Sequence, residues 1–319
     1  MTTRVAVLDD YQGAAEAAPQ WAGLPAGVGL TFFGDHLSDE DAVAERLRPF
    51  EVVVAMRERT PFPASLLSAL PGLRLLVTTG MRNRSIDLAA AREQGIVVSG
   101  TEGRTSHNTA ELAWGLILAV ARHLPAEARA VREGRWQTTV GTELAGKRLG
   151  LLGLGRIGSQ MATIGRAFAM EVVAWSQHLT EEAAAAVGAT RVEKPELLST
   201  SDVVSIHLVL SERTRGLIRA PELASMRPTA YLINTSRGPI VDEPALVEAL
   251  RQGTIAGAGL DVFDQEPLPL DHPLRDLPNA IVTPHLGYVT KETYADFFEG
   301  IVDAIAGWSA GSPVRQLTP

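Results

Sequence analysis

The sequence predicts an α/β protein made of two doubly wound parallel-sheet domains. Three observations lead there. Short, continuous runs of Val, Ile and Leu recur along the 319 residues, as in strands buried on both faces. Helix-like segments alternate with these runs, as parallel strand connections require. A glycine-rich turn, Gly153-Leu-Gly155-Arg-Ile-Gly158, lies near the middle of the chain and not at its start. A complete α/β unit of about a hundred residues is therefore expected before it.

In chain order, the first domain is expected to use strands at Val5–Leu8, Val52–Ala55, Leu73–Val77 and Ile96–Val98. A long apolar helix beginning at Thr109-Ala-Glu111 and running through Val120 crosses to the second domain. That domain is expected to hold strands at Leu149–Leu152, Val172–Trp175, Val203–His207, Tyr231–Asn234, Gly257–Asp261 and Ile281–Thr283. A tail helix around Tyr294–Trp308 then returns to the first domain. The expected boundaries are 1–104 with 288–319 for the first domain and 105–287 for the second. The sequence shows neither an internal repeat nor a low-complexity linker.

Bulk properties narrow the function classes. A hydrophobic content of 45% and a mean hydropathy of +0.07 fit a well-cored protein. Net charge −8 and a pI near 5.5 argue against nucleic-acid or acidic-membrane partners. The absence of Cys rules out disulfides, thiolate metal sites and cysteine nucleophiles. Met1-Thr-Thr-Arg-Val-Ala-Val-Leu enters a strand directly, without a signal-peptide layout, so a cytoplasmic location is expected. The apolar run Leu112–Val120 is too short for a membrane helix. No His-x-x-x-His or clustered-carboxylate pattern suggests a metal.

The chemistry starts at the glycine turn. An apolar strand, Arg148-Leu-Gly-Leu-Leu, leads into Gly153-x-Gly155-x-x-Gly158, and a helix follows. That layout cradles a dinucleotide pyrophosphate. Gly153 permits the tight turn, Gly155 lets the backbone approach the phosphates, and Gly158 lets helix and strand pack closely. Arg156 and Ile157 lie inside the same turn. The next strand should end in an acid that holds the ribose 2′-OH. Here it is followed by Ser176-Gln177-His178. The expected cofactor is NAD, with NADP not excluded, because Ser176 does not repel a 2′-phosphate and no arginine follows at once to claim it.

Three further segments place polar residues after strands, where open α/β sheets bind ligands. They are Asn234-Thr-Ser-Arg237-Gly238, Asp261-Val-Phe-Asp-Gln-Glu266-Pro267 and Thr283-Pro-His285-Leu-Gly287. Singly, Arg237 reads as a surface charge, Glu266 as a loop acid and His285 as a satisfied polar residue. Together they supply what hydride transfer to a 2-oxo acid needs. A guanidinium grips the carboxylate and polarises the keto oxygen. An imidazolium delivers the proton, and a neighbouring carboxylate orients it and favours its charged form.

On these motifs the chain resembles the D-isomer-specific 2-hydroxyacid dehydrogenases, over about Val52 to Tyr288. The resemblance implies a Rossmann nucleotide domain inserted into a flavodoxin-like substrate domain. It implies Arg237 as the substrate arginine, Glu266 as the acid partner and His285 as the catalytic acid/base. It also implies cofactor contacts at Thr109, His207, Thr235, Ser236, Asp261 and Gly287, with Asp261 facing the nicotinamide carboxamide. His207 alternatively reads as a buried strand-end histidine. The substrate loop departs from the family pattern: in Thr79-Gly80-Met81-Arg82-Asn83, Arg82 replaces the second glycine. Gly80 offers a backbone N–H to a carboxylate, and Arg82 either adds a cation or points outward. Arg57, in Ala55-Met-Arg57-Glu-Arg59, matches the loop that reads the far end of the substrate, or belongs to a solvated charge run. The expected partners are a small 2-oxo or 2-hydroxy acid and a second copy of the chain, joined through the 109–120 helix and a 124–140 arm. A dinucleotide-sensing corepressor on the same fold is the alternative reading. The formate dehydrogenase branch is disfavoured, because it carries Gln at the position of Glu266.

Overall fold

The computed structural model describes residues 2–103 and 107–319. The chain forms two compact units, Met1–Ser106 with Thr290–Pro319, and His107–Val289. The boundary expected at 104/105 lies outside the described residues.

The first unit holds a five-stranded parallel sheet of β1 (Thr3–Val7), β2 (Val28–Phe32), β3 (Val52–Ala55), β4 (Leu75–Thr78) and β5 (Val97–Gly100), in the order β2-β1-β3-β4-β5. Helices α1 (Glu40–Leu47), α2 (Ala64–Ser68) and α3 (Leu88–Glu93) connect them. Asp39 and Asp87 start α1 and α3, each accepting a backbone N–H three residues on. Val52–Ala55 and Leu75–Val77 are buried throughout, as central strands covered on both faces should be. The order reverses between β1 and β3, so their carboxyl ends flank this sheet's switch point. β2 is absent from the strands expected from sequence. It lies at the sheet edge, is only half-buried, and carries Gly29 and Thr31, so it shows no continuous apolar run.

The second unit opens with α4 (Asn108–Ala121) and α5 (Leu124–Arg132). Its seven parallel strands are β6 (Arg148–Leu152), β7 (Glu171–Trp175), β8 (Thr190–Arg191), β9 (Val203–Ile206), β10 (Tyr231–Asn234), β11 (Gly257–Leu260) and β12 (Ala280–Val282). Their order is β12-β11-β10-β9-β6-β7-β8, reversing between β6 and β9. The connecting helices are α6 (Arg156–Ala167), α7 (Glu181–Ala185), α8 (Lys194–Thr200), α9 (Ala220–Ser225) and α10 (Glu243–Gln252). Alternating side chains feed two cores. Leu149, Leu151 and Ile233 pack with Trp114, Ile117 and Met161 of α4 and α6. Leu152, Val204 and Leu232 pack with Leu197, Leu223 and Leu246 of α8, α9 and α10. The glycines of β11 follow from the same packing: a Cβ on Gly259 would stand 2.9 Å from the Leu116 Cβ of α4. β8 was also not expected from sequence, being an edge strand of two residues.

The closing helix α11 (Lys291–Ser309) belongs to the first unit. Tyr294, Phe297, Phe298, Ile301, Ala304 and Ile305 recur at helical spacing and are buried. Gly300 lies against Thr101, where a Cβ would come within 2.9 Å of the threonine Cβ. Trp21 and Phe298 have ring centroids 5.5 Å apart. Ile301 is wholly buried, so Ile301→Ala should cost about 2–5 kcal/mol. Urea unfolding monitored by circular dichroism checks this. An unchanged midpoint would show that α11 is not anchored through this face.

Candidate active site

The glycine turn is shaped by backbone crowding on two sides. β6 leads directly into Gly153, whose φ is +101°, a region that side chains disfavour. A Cβ there would lie 2.5 Å from the carbonyl oxygen of His207. A Cβ on Gly158 would lie 2.1 Å from the Gly153 carbonyl oxygen. Gly155 is different. It caps α6 without a side-chain hydrogen bond, and a Cβ there would meet nothing within 4 Å. The chain's own packing leaves space before the N-terminus of a twelve-residue helix. A pyrophosphate fits this space, next to unsatisfied N–H groups. Arg156 and Ile157 form the first turn of α6, which contains no acid. The turn lies at the carboxyl end of β6, where the strand order reverses.

Two polar atoms nearby lack partners. His207 follows β9, one residue beyond the observed strand end. Its Nε2 lies 2.9 Å from Ser205 Oγ, while the buried Nδ1 makes no hydrogen bond. Burial pushes its pKa down to about 4, so the ring is neutral near pH 7. The buried Thr235 Oγ1, after β10, is also without a partner. Such orphans at a strand-end site fit contacts to a bound dinucleotide. Ser236 is committed within the chain, its hydroxyl donating to the Ile206 carbonyl at 2.7 Å. Ser176 is half-buried after β7.

Arg237, Glu266 and His285 follow the three adjacent strands β10, β11 and β12. Asn234 shapes the first loop. Its Oδ1 accepts the Ser236 N–H at 3.0 Å and its Nδ2 donates to the Arg237 carbonyl at 3.0 Å. Arg237 Nη1 donates to the Ser236 carbonyl at 2.7 Å. Gly238 lies against the next loop, and a Cβ there would come within 2.1 Å of the Phe263 carbonyl carbon. Glu266 Oε1 accepts the Phe263 N–H at 2.9 Å, and Oε2 meets His285 Nδ1 at 2.6 Å. With Nδ1 set against a carboxylate, Nε2 is the ring nitrogen left available for proton exchange. The His285 ring stands edge-on to Tyr288, with centroids 5.6 Å apart.

The His285 loop is held from two sides. Asp261 is fully buried at the end of β11. It accepts from Thr283 Oγ1 at 2.6 Å, Leu286 N–H at 2.7 Å and Gly287 N–H at 2.8 Å. Burial pushes its carboxyl above the usual range, with these hydrogen bonds pulling the other way. The Thr109 hydroxyl of α4 donates to the Gly287 carbonyl at 2.9 Å. Both residues were expected as cofactor contacts. The interactions visible here hold the loop that carries His285. Glu243, at the start of α10, was not anticipated. Its Oε2 accepts the Asp264 N–H at 3.1 Å and its Oε1 pairs with His272 Nε2 at 3.1 Å, bracing the Glu266 loop. Nothing local in the sequence marks that role, since acids are common in first helical turns.

In the first unit, Arg57 follows β3 with a left-handed φ of +55°. Its N–H donates to Thr79 Oγ1 at 2.9 Å and its carbonyl accepts from Asn83 Nδ2 at 2.6 Å. Its guanidinium crosses Gly80, where a Cβ would fall 2.2 Å from Nη1. The Gly80 N–H, expected to offer itself to a carboxylate, donates to Thr101 Oγ1 at 2.9 Å. Met81 and Arg82 are exposed. Asp9, after β1, was missed. It is buried with φ +56° and accepts from Thr60 Oγ1 at 2.7 Å and Tyr11 Oη at 3.2 Å. Its Oδ1 also lies 3.0 Å from His36 Nδ1. The acidic pair Asp9-Asp10 directly after an apolar strand was the available signal. Among the described residues, no group of three or more His, Asp and Glu could hold a metal ion.

Known proteins resemble this chain over most of its length. The family model described as D-isomer specific 2-hydroxyacid dehydrogenase, NAD binding domain, matches residues 114–287. A glyoxylate reductase of Aeropyrum pernix is 44% identical over 237 residues, covering 72% of this chain and 71% of that protein. A D-3-phosphoglycerate dehydrogenase of Archaeoglobus fulgidus is 36% identical over 282 residues, covering 88% of this chain. The chain spans about half the length of that relative, 53%. A crystal structure of phosphoglycerate oxidoreductase from Vibrio cholerae superposes with a TM-score of 0.92 at 36% identity, covering 98% of this chain and 100% of that one. The chain belongs to the D-isomer-specific 2-hydroxyacid dehydrogenase family. It is an NAD-dependent oxidoreductase of that class. These relatives are enzymes, and they lend no support to the corepressor alternative.

The crowding at Gly158 makes a direct test. Gly158→Ala forces the Gly153 carbonyl to move, and NADH affinity should fall at least about tenfold. NADH fluorescence titration of variant and parent checks this. Affinity within twofold of the parent would show that the close approach is not needed for binding.

Proposed function

We propose that the chain reduces small 2-oxo acids to D-2-hydroxy acids, and runs the reverse oxidation, with NAD(H). The observation that carries this is the Glu266–His285 contact of 2.6 Å on loops beside the one bearing Arg237. The second unit serves as the nucleotide domain and the first as the substrate domain. The open space at Gly155 and the unpartnered Thr235 Oγ1 and His207 Nδ1 suit a dinucleotide held by Gly153–Gly158. Thr109, Ser176, Ser236, Asp261 and Gly287 complete that set. Bound NADH supplies the hydride to the carbonyl carbon.

The chain's own groups do the rest. Arg237 grips the substrate carboxylate through its planar fork and draws electron density toward the keto oxygen. His285 gives its Nε2 proton to that oxygen and retains the Nδ1 proton against Glu266. In oxidation, neutral Nε2 takes the hydroxyl proton back. The substrate residues are Arg57, Gly80, Met81 and Arg82. Arg57 suits a substrate with a second anionic group at its far end. The names of the glyoxylate reductase and phosphoglycerate dehydrogenase relatives fit small hydroxy acids with and without such a group.

The same reading includes a homodimer. Leu124, Val131, Trp136 and Val140 are exposed, the last two at 76% and 93%, and residues 131–141 are exposed throughout. A second copy covering this arm accounts for that apolar surface. No helix of the described residues is long and apolar enough to cross a membrane. A cytoplasmic location fits an enzyme that draws on the soluble dinucleotide pool.

A panel of glyoxylate, hydroxypyruvate and pyruvate with NADH, followed by dinucleotide absorbance, tests the activity. Absence of turnover on every 2-oxo acid would overturn it. His285→Ala should lower kcat by roughly 10²–10⁴-fold while NADH affinity changes far less. Reduction draws its proton from His285 Nε2 and oxidation returns one there, so His285→Ala should slow both directions. Glu266→Gln removes the carboxylate that holds the His285 ring through Nδ1 and should lower kcat while NADH affinity changes little. An unchanged kcat in Glu266→Gln would remove Glu266 from proton transfer.

A further inference from the structure

The loop after β7 lacks the acid that would select NAD, and a cation reaches it from a distant part of the chain. Ser176-Gln177-His178 follow Trp175. Arg213, on the loop after β9, donates from Nη1 to Gln177 Oε1 at 2.8 Å, across 36 positions of sequence. β7 and β9 are the two neighbours of β6. The hydrogen bond therefore links the loops on either side of the glycine-turn strand. Gln177 is neutral, and among the described residues Arg213 forms no ion pair, so its charge is not cancelled.

We propose that Arg213, with Ser176 and Gln177, forms a subsite for the 2′-phosphate of NADP(H). The chain then takes the phosphorylated dinucleotide as well as NAD(H). This rests on the Gly153–Gly158 turn being the dinucleotide site. A dinucleotide laid along that turn brings its adenosine ribose to the end of the following strand, β7. An acid there would accept from the 2′-OH and repel a phosphate. Ser176 repels nothing and can donate a hydrogen bond. Arg213 stays charged at all working pH values, and its planar fork matches phosphate oxygens. One N–H spent on Gln177 orients the guanidinium and leaves the others for the ligand. Both side chains are exposed, so the interaction is partly screened and weakens with salt.

The test uses the full chain in fluorescence titrations with NADPH and NADH, and competition by 2′,5′-ADP and 5′-AMP. The parent should bind 2′,5′-ADP more tightly than 5′-AMP, with the difference shrinking as salt rises. Arg213→Ala should weaken NADPH and 2′,5′-ADP by roughly ten- to a hundredfold, as for a lost hydrogen bond to a charged group. NADH should weaken by less than about threefold. Arg213→Lys should keep part of the NADPH affinity, because it restores the charge without the fork. Ser176→Asp should discriminate against NADPH more than against NADH. Equal losses for NADPH and NADH in Arg213→Ala, or NADPH binding indifferent to that change, would overturn the subsite alone. A parent protein that binds neither dinucleotide would overturn the dinucleotide reading itself, and the subsite with it.

Discussion

The buried carboxylate of Asp261 is the constraint on which the site's geometry rests. A carboxylate removed from water is costly unless donors replace the lost solvation. Here Thr283, Leu286 and Gly287 supply three, all from the segment that carries His285. The cost of burial and the order of the loop are thus one interaction seen from two ends. Asp261 is fixed because β11 is paired on both sides, with β10 and β12, and the loop is fixed because it must satisfy Asp261. Thr109 closes the arrangement by donating to the Gly287 carbonyl. His285 then has little freedom, and its ring meets Glu266 at 2.6 Å. Glu266 is held in turn by the Phe263 N–H, and its loop by Glu243.

Close backbone approach is the second constraint. Gly153, Gly158 and Gly238 each face a carbonyl group at a distance that no Cβ tolerates. The first two stack the glycine turn on itself and on the end of β9. The third lays the Arg237 loop on the Glu266 loop. Gly155 is free of such contacts, which separates a glycine required by the fold from one whose small size serves a ligand. The shared pattern Gly-x-Gly-x-x-Gly conceals that difference, because sequence lists the residues without their neighbours.

Much of this was legible in the sequence, for identifiable reasons. Central strands such as Val52–Ala55 and Tyr231–Asn234 are buried on both faces, and continuous apolar runs mark them. β2 and β8 lie at sheet edges, where one side needs no apolar cover, so their mixed composition hides them. His207, Asp261 and Thr283 were read as last strand residues, yet each lies just beyond its strand. They extend apolar runs in sequence, which hides where each strand stops. Arg237, Glu266 and His285 stood out because their chemistry is rare in combination after a glycine turn. Glu243 and Arg213 carry no local signature. Their roles depend on partners distant in sequence, such as the 36 positions between Gln177 and Arg213, and only the folded chain pairs them.

Backbone strain shows the same logic in both sheets. Asp9, Arg57 and His285 are non-glycine residues in the left-handed region, and each follows the carboxyl end of a strand. Such a conformation costs on the order of 1–3 kcal/mol and persists only where surroundings over-determine it. The surroundings differ but are sufficient in each case. Arg57 has both its N–H and its carbonyl taken, by Thr79 and Asn83. Asp9 is gripped through its side chain by Thr60, Tyr11 and His36, and through its carbonyl by Arg59. His285 is flanked by the loop groups that satisfy Asp261. A left-handed residue reverses the chain direction abruptly and turns its side chain away from the line of the strand. At a strand end, that aims a guanidinium or an imidazole where a regular continuation would not. Glycine would adopt the same backbone more cheaply but would bring no functional group. At Asp9, Arg57 and His285 the retained strain thus comes with a side chain that glycine could not supply.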